Sequence, residues 1–330
     1  MSSLEMDDRS GVTNDAPGIR VGISSCLLGE EVRYDGGHKH DSLITGLLGR
    51  FFEFVPVCPE VELGLGIPRP NLRLVGTVDA PRLITQKTGE DHTVAMRRFA
   101  ARRAALLAKL GLHGYILKRA SPSCGMERVK VYGGHGPAIN RGVGLFAAAL
   151  MERLPNLPVE EEGRLRDAPL RENFIERVFA RHRWLELLRR RPTPGRLVDF
   201  HTRHKLALLA HSEVRYRNMG RMAAAAGTTP LRDLLRRYES ELFAALRVQA
   251  TRRTHANVLY HLIGFLKQRL SGADKRELID CIESYRKGLV PLIVPVTLMK
   301  HHFRGHPAAW VESQTYLNPY PAELMLRNAV

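Results

Sequence analysis

The sequence predicts an α/β protein whose N-terminal domain is built on a parallel β-sheet and whose C-terminal domain is all-α and basic. In the first half, short apolar runs that fit β-strands alternate with segments of helical spacing. Such alternation is typical of βαβ units. From residue 170 onward, apolar residues recur only at helical spacing. A third observation, the concentration of positive charge in that second half, also separates the two domains.

Three strands and two helices are predicted in the first half. The strands are the apolar runs at residues 19–24, 51–57 and 114–117. One helix, at 97–110, is rich in Ala, Arg and Leu and is followed by a glycine, and the other, at 142–153, is followed by two prolines. Glycine and proline commonly follow the end of a helix, so both ends are well marked.

Five amphipathic helices are predicted in the second half, and prolines and glycines separate several of them. They lie at residues 170–191, 197–217, 231–249, 251–270 and 274–288.

Composition excludes several classes of protein. The 330 residues are 44% hydrophobic, and no apolar stretch approaches the roughly 18 residues of a membrane helix. Residues 1–17 are polar and contain no apolar core of a signal peptide. The four cysteines are too few for a disulfide framework. We therefore expect a cytoplasmic protein whose cysteines are reduced or bind a metal.

Positive charge is concentrated in the second half of the chain. The net charge is +16. Residues 1–170 contain 22 basic and 20 acidic side chains, whereas residues 171–330 contain 28 and 14, and most of these basic residues are arginines. Arginine suits bidentate contacts with phosphate. The second half therefore predicts a nucleic-acid partner, with a solvated basic surface as the alternative.

Three cysteines follow the predicted strands. Cys26 comes directly after the first strand, Cys58 after the second, and Cys124 follows the third by a short segment. Ligands of open α/β sheets bind outside the carboxyl ends of the strands, so the three thiols can converge there. Three thiols suit a zinc site or an iron–sulfur cluster with one open iron, and three buried structural cysteines are the alternative.

Each cysteine has a distinctive context. Cys26 lies in SSCLLG, Cys58 begins CPEV, and Cys124 lies in SPSCG, with VRYDG at 32–36 and Lys118 nearby. These contexts, over about residues 18–155, resemble the thiouracil desulfidase family. The helical second half is similar to the extra domain of two-domain bacterial members, which convert 4-thiouridine in tRNA back to uridine.

The resemblance implies a 4Fe–4S cluster held by Cys26, Cys58 and Cys124, with a fourth iron free for the thiocarbonyl sulfur. It places an acidic catalytic residue at Glu60 and a catalytic serine at Ser121. It thus implies an enzyme that replaces the sulfur of 4-thiouridine in tRNA by attack of water. Lewis-acid assistance by iron and general acid–base assistance by a carboxylate suit that reaction.

Two other functions stay open at this point. The enzyme could act on free thiouracil or thionucleotides, or the chain could be a non-catalytic RNA-binding or sensor module that holds a cluster. No nicotinamide or flavin cofactor is expected, because the glycine-rich stretches match no dinucleotide fingerprint.

Four segments follow from these interpretations. We expect a disordered tail at 1–17, a catalytic iron–sulfur desulfidase domain at 18–165, a linker or helix at 166–195, and a basic, tRNA-binding helical domain at 196–330. Because the candidate site residues all precede residue 165, we also expect the first domain to fold when the chain is cut there.

The sequence also predicts roles or surroundings for several further residues. Ser123 is less favoured than Ser121, and Cys281 is expected to be a buried apolar residue of a helix. Arg69 is expected to be exposed, with contact to the nucleotide as the alternative. The helix start at 142–144 is a candidate anion site. Three histidines are candidates for a phosphate-binding face rather than a metal site: His201, His204 and His211.

Overall fold

The computed structural model describes residues 18–133 and 137–330, so the predicted tail at 1–17 lies outside the described residues. Eight strands lie in this part of the chain. They are β1 (Ile19–Ser24), β2 (Phe52–Val57), β3 (Leu72–Gly76), β4 (Pro81–Thr85), β5 (Gly114–Leu117), β6 (Val129–Tyr132), β7 (Ile139–Gly142) and β8 (Val159–Glu161).

Helices cover most of the remaining described residues. They are α1 (Pro59–Glu62), α2 (Thr93–Lys109), α3 (Leu145–Arg153), α4 (Ala168–Arg189), α5 (Pro194–His211), α6 (Glu213–Ala224), α7 (Leu231–Arg247), α8 (Arg252–Leu266), α9 (Gly272–Arg286), α10 (Ile293–Gly305) and α11 (Ala309–Glu312). None of the described helices combines the length and apolarity that crossing a membrane would require.

The first sheet has the order β2-β1-β5-β8, and every neighbouring pair is parallel. The three strands predicted from apolar runs are its adjacent members β2, β1 and β5. Side chains of α2 and α3 pack on one face, where Phe99 and Phe146 join Tyr115 and Leu117 of β5. The prediction of an α/β domain with a parallel sheet is therefore confirmed.

A second sheet, of order β4-β3-β6-β7, was not predicted. Its strands have four or five residues and mixed exposure; in β3, for example, Leu72 and Leu74 are buried while Arg73 is partly exposed. Strand β7 also corrects the predicted helix at 142–153. Gly142 pairs with Val129 of β6, so the helix begins only at Leu145.

The all-α character of the second half is confirmed, but one of the predicted helices is two helices in the structure. The segment 197–217 was predicted as one helix, but it breaks at Ser212. The backbone of Ser212 is extended, and its side chain accepts a hydrogen bond from the Arg215 N–H. This is an N-cap, which begins α6 because it satisfies an amide that has no partner within the helix.

Helix α4 occupies most of the segment expected to be a linker or helix, and it packs against both parts of the chain. Phe174, Ile175 and Val178 contact the second face of the parallel sheet, whereas Trp184 belongs to the core of the helical part. Residues near the C-terminus return to the same sheet face, where Leu324 and Leu326 are buried.

The expectation that residues up to 165 fold alone stays a prediction. A cut there removes every α4 and C-terminal side chain that covers Val21, Ile23 and Ile116, all of which are fully buried. A chain cut at 165 would therefore expose part of this apolar sheet face to water.

Candidate functional site

The three strand-end cysteines lie at one edge of the parallel sheet. Cys26 lies in a 3₁₀ turn directly after β1, Cys58 lies between β2 and α1, and Cys124 lies in the loop after β5. Since β2, β1 and β5 are adjacent and parallel, their carboxyl ends meet. All three cysteines line one cavity of about 270 Å³. The convergence expected from their positions after the strands is thus observed.

The loop that contains Cys124 is held by a serine and by helix α3. The Ser121 Oγ accepts hydrogen bonds from the backbone N–H groups of Ser123, at 3.2 Å, and Cys124, at 3.1 Å. The first amides of α3 bind this loop too, because Phe146 N–H donates to the Ser123 carbonyl at 3.0 Å. The helix start proposed as an anion site therefore binds the Cys124 loop itself.

Close packing at Gly144 fixes the loop further. A Cβ atom at this position would lie 2.5 Å from the carbonyl carbon and oxygen of Ser123 and 2.8 Å from the Cys124 nitrogen. These are backbone atoms that cannot swing aside, so only glycine lets the start of α3 approach the cysteine loop this closely.

Glu60, the second residue of α1, lies on the wall of the cavity, and both of its carboxylate oxygens accept hydrogen bonds. The Arg69 guanidinium donates to Oε2 from Nε, at 2.9 Å, and from Nη2, at 2.7 Å. The Ser123 hydroxyl donates to Oε1 at 2.8 Å. The Glu60 side chain is 14% exposed. It therefore has a single, well-defined orientation beside the cysteines.

The contact of Arg69 with Glu60 was not predicted from the sequence. Arg69 was expected to be exposed, but its side chain is only 3% exposed. Besides Glu60, it donates to the carbonyl oxygens of Gly66, at 3.1 Å, and Val32, at 2.9 Å. Its contacts link three segments around the cavity, and no local pattern indicates them.

The two serines of the SPSC segment have different surroundings. Ser121 lines the cavity, but its oxygen accepts from two loop amides. Ser123, the less favoured residue, is fully buried and contacts the Glu60 carboxylate. The catalytic role of Ser121 stays a prediction, and the geometry adds Ser123 as the serine in contact with the acidic residue.

Burial raises the pKa of each thiol at the site. The pKa of Cys26 rises to about 11, and those of Cys58 and Cys124 rise as well, in each case mainly because burial disfavours the thiolate. Lys118, which binds Glu162 at 2.5 Å, opposes this rise at Cys26. These are the surroundings of buried cysteines rather than of a free, reactive thiol.

Other candidates lie away from this cavity. Cys281 is half-buried on α9, in the helical part of the chain. The histidines proposed for a phosphate-binding face are buried, which corrects that prediction; burial lowers the pKa of His201 to about 4 and of His204 to about 3. His211 binds Glu176 at 3.1 Å.

Comparison with known proteins divides the chain in the same way as the fold. Residues 21–162 match the family described as 2-thiouracil desulfurase, and residues 205–321 match a family described as a protein of unknown function, DUF1722. The chain is 34% identical over 159 residues to the uncharacterized protein YbgA of Escherichia coli (strain K12), a match that covers 48% of this chain and 94% of that protein.

Two further similarities are shorter. The chain is 33% identical over 108 residues to the uncharacterized protein YbbK of Bacillus subtilis (strain 168), covering 31% of this chain and 71% of that protein. The solved structure of a 4Fe-4S-dependent thiouracil desulfidase, TudS, is 31% identical and covers 45% of this chain and 93% of its own, with a TM-score of 0.37.

Proposed function

This chain belongs to the 2-thiouracil desulfurase family, and from that premise we propose that it replaces the sulfur of 4-thiouridine in tRNA with oxygen. The observation that carries the proposal is the cavity in which Glu60 lies beside three cysteines from adjacent strands. The cavity volume of about 270 Å³ lies just below the roughly 300–1,000 Å³ of typical small-molecule sites, so the cavity suits only small occupants.

We further propose that Cys26, Cys58 and Cys124 hold a 4Fe–4S cluster. Cysteine thiolates are the usual ligands of such clusters, and the fourth cysteine, Cys281, lies on α9 outside the cavity. In the described part of the chain, no three His, Cys, Asp or Glu side chains converge on one point as a single metal ion requires. Each thiolate of a cluster binds its own iron, so cluster ligands need not converge in that way.

When bound, the cluster would supply a Lewis-acidic iron for the thiocarbonyl sulfur. The overall reaction takes up water and releases sulfide: a C–O bond forms at C4 of the pyrimidine and the C–S bond breaks. Glu60 accepts a proton from the attacking water at Oε1, the oxygen with the fewer hydrogen bonds. Arg69 holds Oε2, and Ser123 directs Oε1, so the base is oriented before the substrate arrives.

The charge distribution supports RNA as the substrate. Residues 171–330 have 28 basic and 14 acidic side chains, compared with 22 and 20 in residues 1–170. An excess of this size next to a small-base cavity suits a substrate whose reacting base is joined to a polyanionic backbone.

A comparison of substrates tests this function. We expect anaerobically purified protein to remove 4-thiouridine from thiolated tRNA, as measured by nucleoside analysis, and to prefer it to free 4-thiouracil. Because phosphate contacts weaken as counterions compete, this preference should fall steeply with salt. Preference for the free base, undiminished at high salt, would instead support the second candidate, a desulfidase of free thiouracil, which the small cavity and the family also suit. RNA binding without any turnover would support the sensor module.

The two serines offer a prediction that separates their roles. Ser123→Ala should lower kcat by about tenfold or more while the iron content is retained, because Glu60 loses a hydrogen bond to a charged group worth roughly 1.5–3 kcal/mol. Ser121→Ala should instead lower the free energy of unfolding by about 1–3 kcal/mol, because two buried amides lose their acceptor. Steady-state kinetics normalised to iron, together with denaturant unfolding, distinguish the two. Equal losses of kcat per cluster in both variants would contradict the assignment.

A further inference from the structure

A second cleft, of about 500 Å³, lies along the edge strand β8. Its walls come from the end of α3, from α4 and from the residues that end α7. It shares no lining residue with the cysteine cavity, although Met126, two residues after Cys124, belongs to its wall. The cleft therefore lies between the catalytic sheet and the helical part of the chain, and no role described so far uses it.

Arg177 of α4 is the unusual residue of this cleft. It is 8% exposed, and its one hydrogen bond within the described residues runs from Nε to the Asn173 carbonyl of its own helix, at 3.4 Å. No described carboxylate lies within 4 Å of it, and its terminal nitrogens have no hydrogen-bond partner among the described residues although Arg177 lines the cleft. A buried cation without a directly paired counter-charge is costly. Burial lowers the pKa of Arg177 to about 10, and the nearby Glu160 opposes this only in part.

A second buried arginine of α4 does have hydrogen-bond partners. Arg181, one turn later, is equally buried. Its guanidinium donates to the Leu112 carbonyl at 2.8 Å, to the Asn156 carbonyl at 3.3 Å and to Glu239 at 3.3 Å. The terminal nitrogens of Arg177 have no such partners among the described residues, so they are available to a ligand.

Two more arginines line the same cleft. Arg164 binds Glu160 at 2.6 Å and Glu127 at 2.9 Å, and Arg247 donates to the Pro155 carbonyl at 2.9 Å. Glu160 is the one acidic residue among the described residues that line it. Because Arg164 is neutralised by Glu160 and Glu127, the free positive charge of the cleft comes from Arg177 and Arg247. Two guanidinium groups without a carboxylate partner around a site of limited size suit an anion.

We propose that this cleft binds a phosphate group, with the terminal nitrogens of Arg177 as its main donors. The planar guanidinium presents parallel N–H groups that match two phosphate oxygens. The bound group supplies the direct ion-pair partner that Arg177 lacks among the described residues. We assign the phosphate to the backbone of the RNA substrate, an assignment that rests on the proposed function; a free phosphate or nucleotide shares the same chemistry.

Arg177→Met tests the site directly in the full-length protein. Binding of inorganic phosphate and of 5′-UMP, measured by calorimetry, should weaken about tenfold or more, because two charge-assisted hydrogen bonds are lost. Thermal stability without phosphate should stay equal or rise, because an unpaired buried charge is removed. If Arg177 had only a structural role, its replacement would lower the thermal stability. Arg217→Met, which removes an exposed charge on α6, is the matched control and should leave phosphate binding unchanged.

Salt dependence identifies the source of the phosphate. If it belongs to RNA, the slope of log K against log salt for tRNA binding should decrease by about one in Arg177→Met. Lost binding of inorganic phosphate with an unchanged slope would assign the site to a free phosphate or nucleotide. Arg247→Met, at the exposed rim, should weaken phosphate binding without touching the core.

The proposal would be overturned if Arg177→Met and Arg247→Met both bound inorganic phosphate and tRNA with the affinity of the wild-type protein. These are binding measurements, so the site is tested independently of turnover. Failure of the proposed function would appear separately, as no loss of 4-thiouridine from thiolated tRNA.

Discussion

Changing any one of Cys26, Cys58 or Cys124 to serine is expected to abolish both the brown colour of anaerobically purified protein and its desulfidase activity. The three residues line one cavity at the ends of adjacent strands, and a cluster needs all three thiolates because each binds a different iron. Serine keeps the size of the side chain but not the soft sulfur donor. Iron and sulfide content, the visible absorption spectrum and turnover of thiolated tRNA provide the measurements.

Cys281→Ser is the matched control for this experiment. Cys281 is half-buried on α9 and lies outside the cavity, so colour and turnover should both persist. A colourless, fully active wild-type protein that contains stoichiometric zinc would contradict the cluster. Loss of the cluster in Cys281→Ser would show that the ligand set has been assigned wrongly.

Glu60→Gln is expected to reduce turnover by about 10²–10⁴-fold, the usual contribution of a general base, while tRNA binding and iron content persist. Glutamine keeps the size and one acceptor oxygen but cannot take up a proton at neutral pH. Arg69, whose side chain is 3% exposed, loses its counter-charge at the same time. The free energy of unfolding should therefore also fall, by about 1–3 kcal/mol.

Because of this second effect, kcat must be expressed per bound cluster and compared with a control. Glu53→Gln removes a carboxylate from β2, where Glu53 is largely exposed and pairs with Arg20 at 3.2 Å. An exposed pair of this kind contributes about 0–1 kcal/mol, so both stability and turnover should change little. Wild-type turnover of Glu60→Gln per cluster would remove Glu60 from the mechanism.

Much of the fold follows from local patterns. Strand β5 is a fully buried run and β1 is buried over its last four residues, which is the pattern of a parallel sheet covered on both faces. The second sheet was missed because strands such as β7, with three exposed residues out of four, have no periodic pattern. The break at Ser212 was missed because one N-cap residue within a long apolar repeat looks like any polar position on a helix face.

The sequence by itself determined the three cysteines, their positions after strands and the acidic residue two positions after Cys58, since strand ends and short spacings are local properties. Only the tertiary structure decided what surrounds Glu60. Ser123 lies 63 residues from it and Arg69 nine, and which of two nearby serines faces the carboxylate depends on how the Cys124 loop packs against α3. Helix α4 likewise belongs to both parts of the chain because its two ends pack on different cores, a property of three-dimensional packing that no single segment encodes.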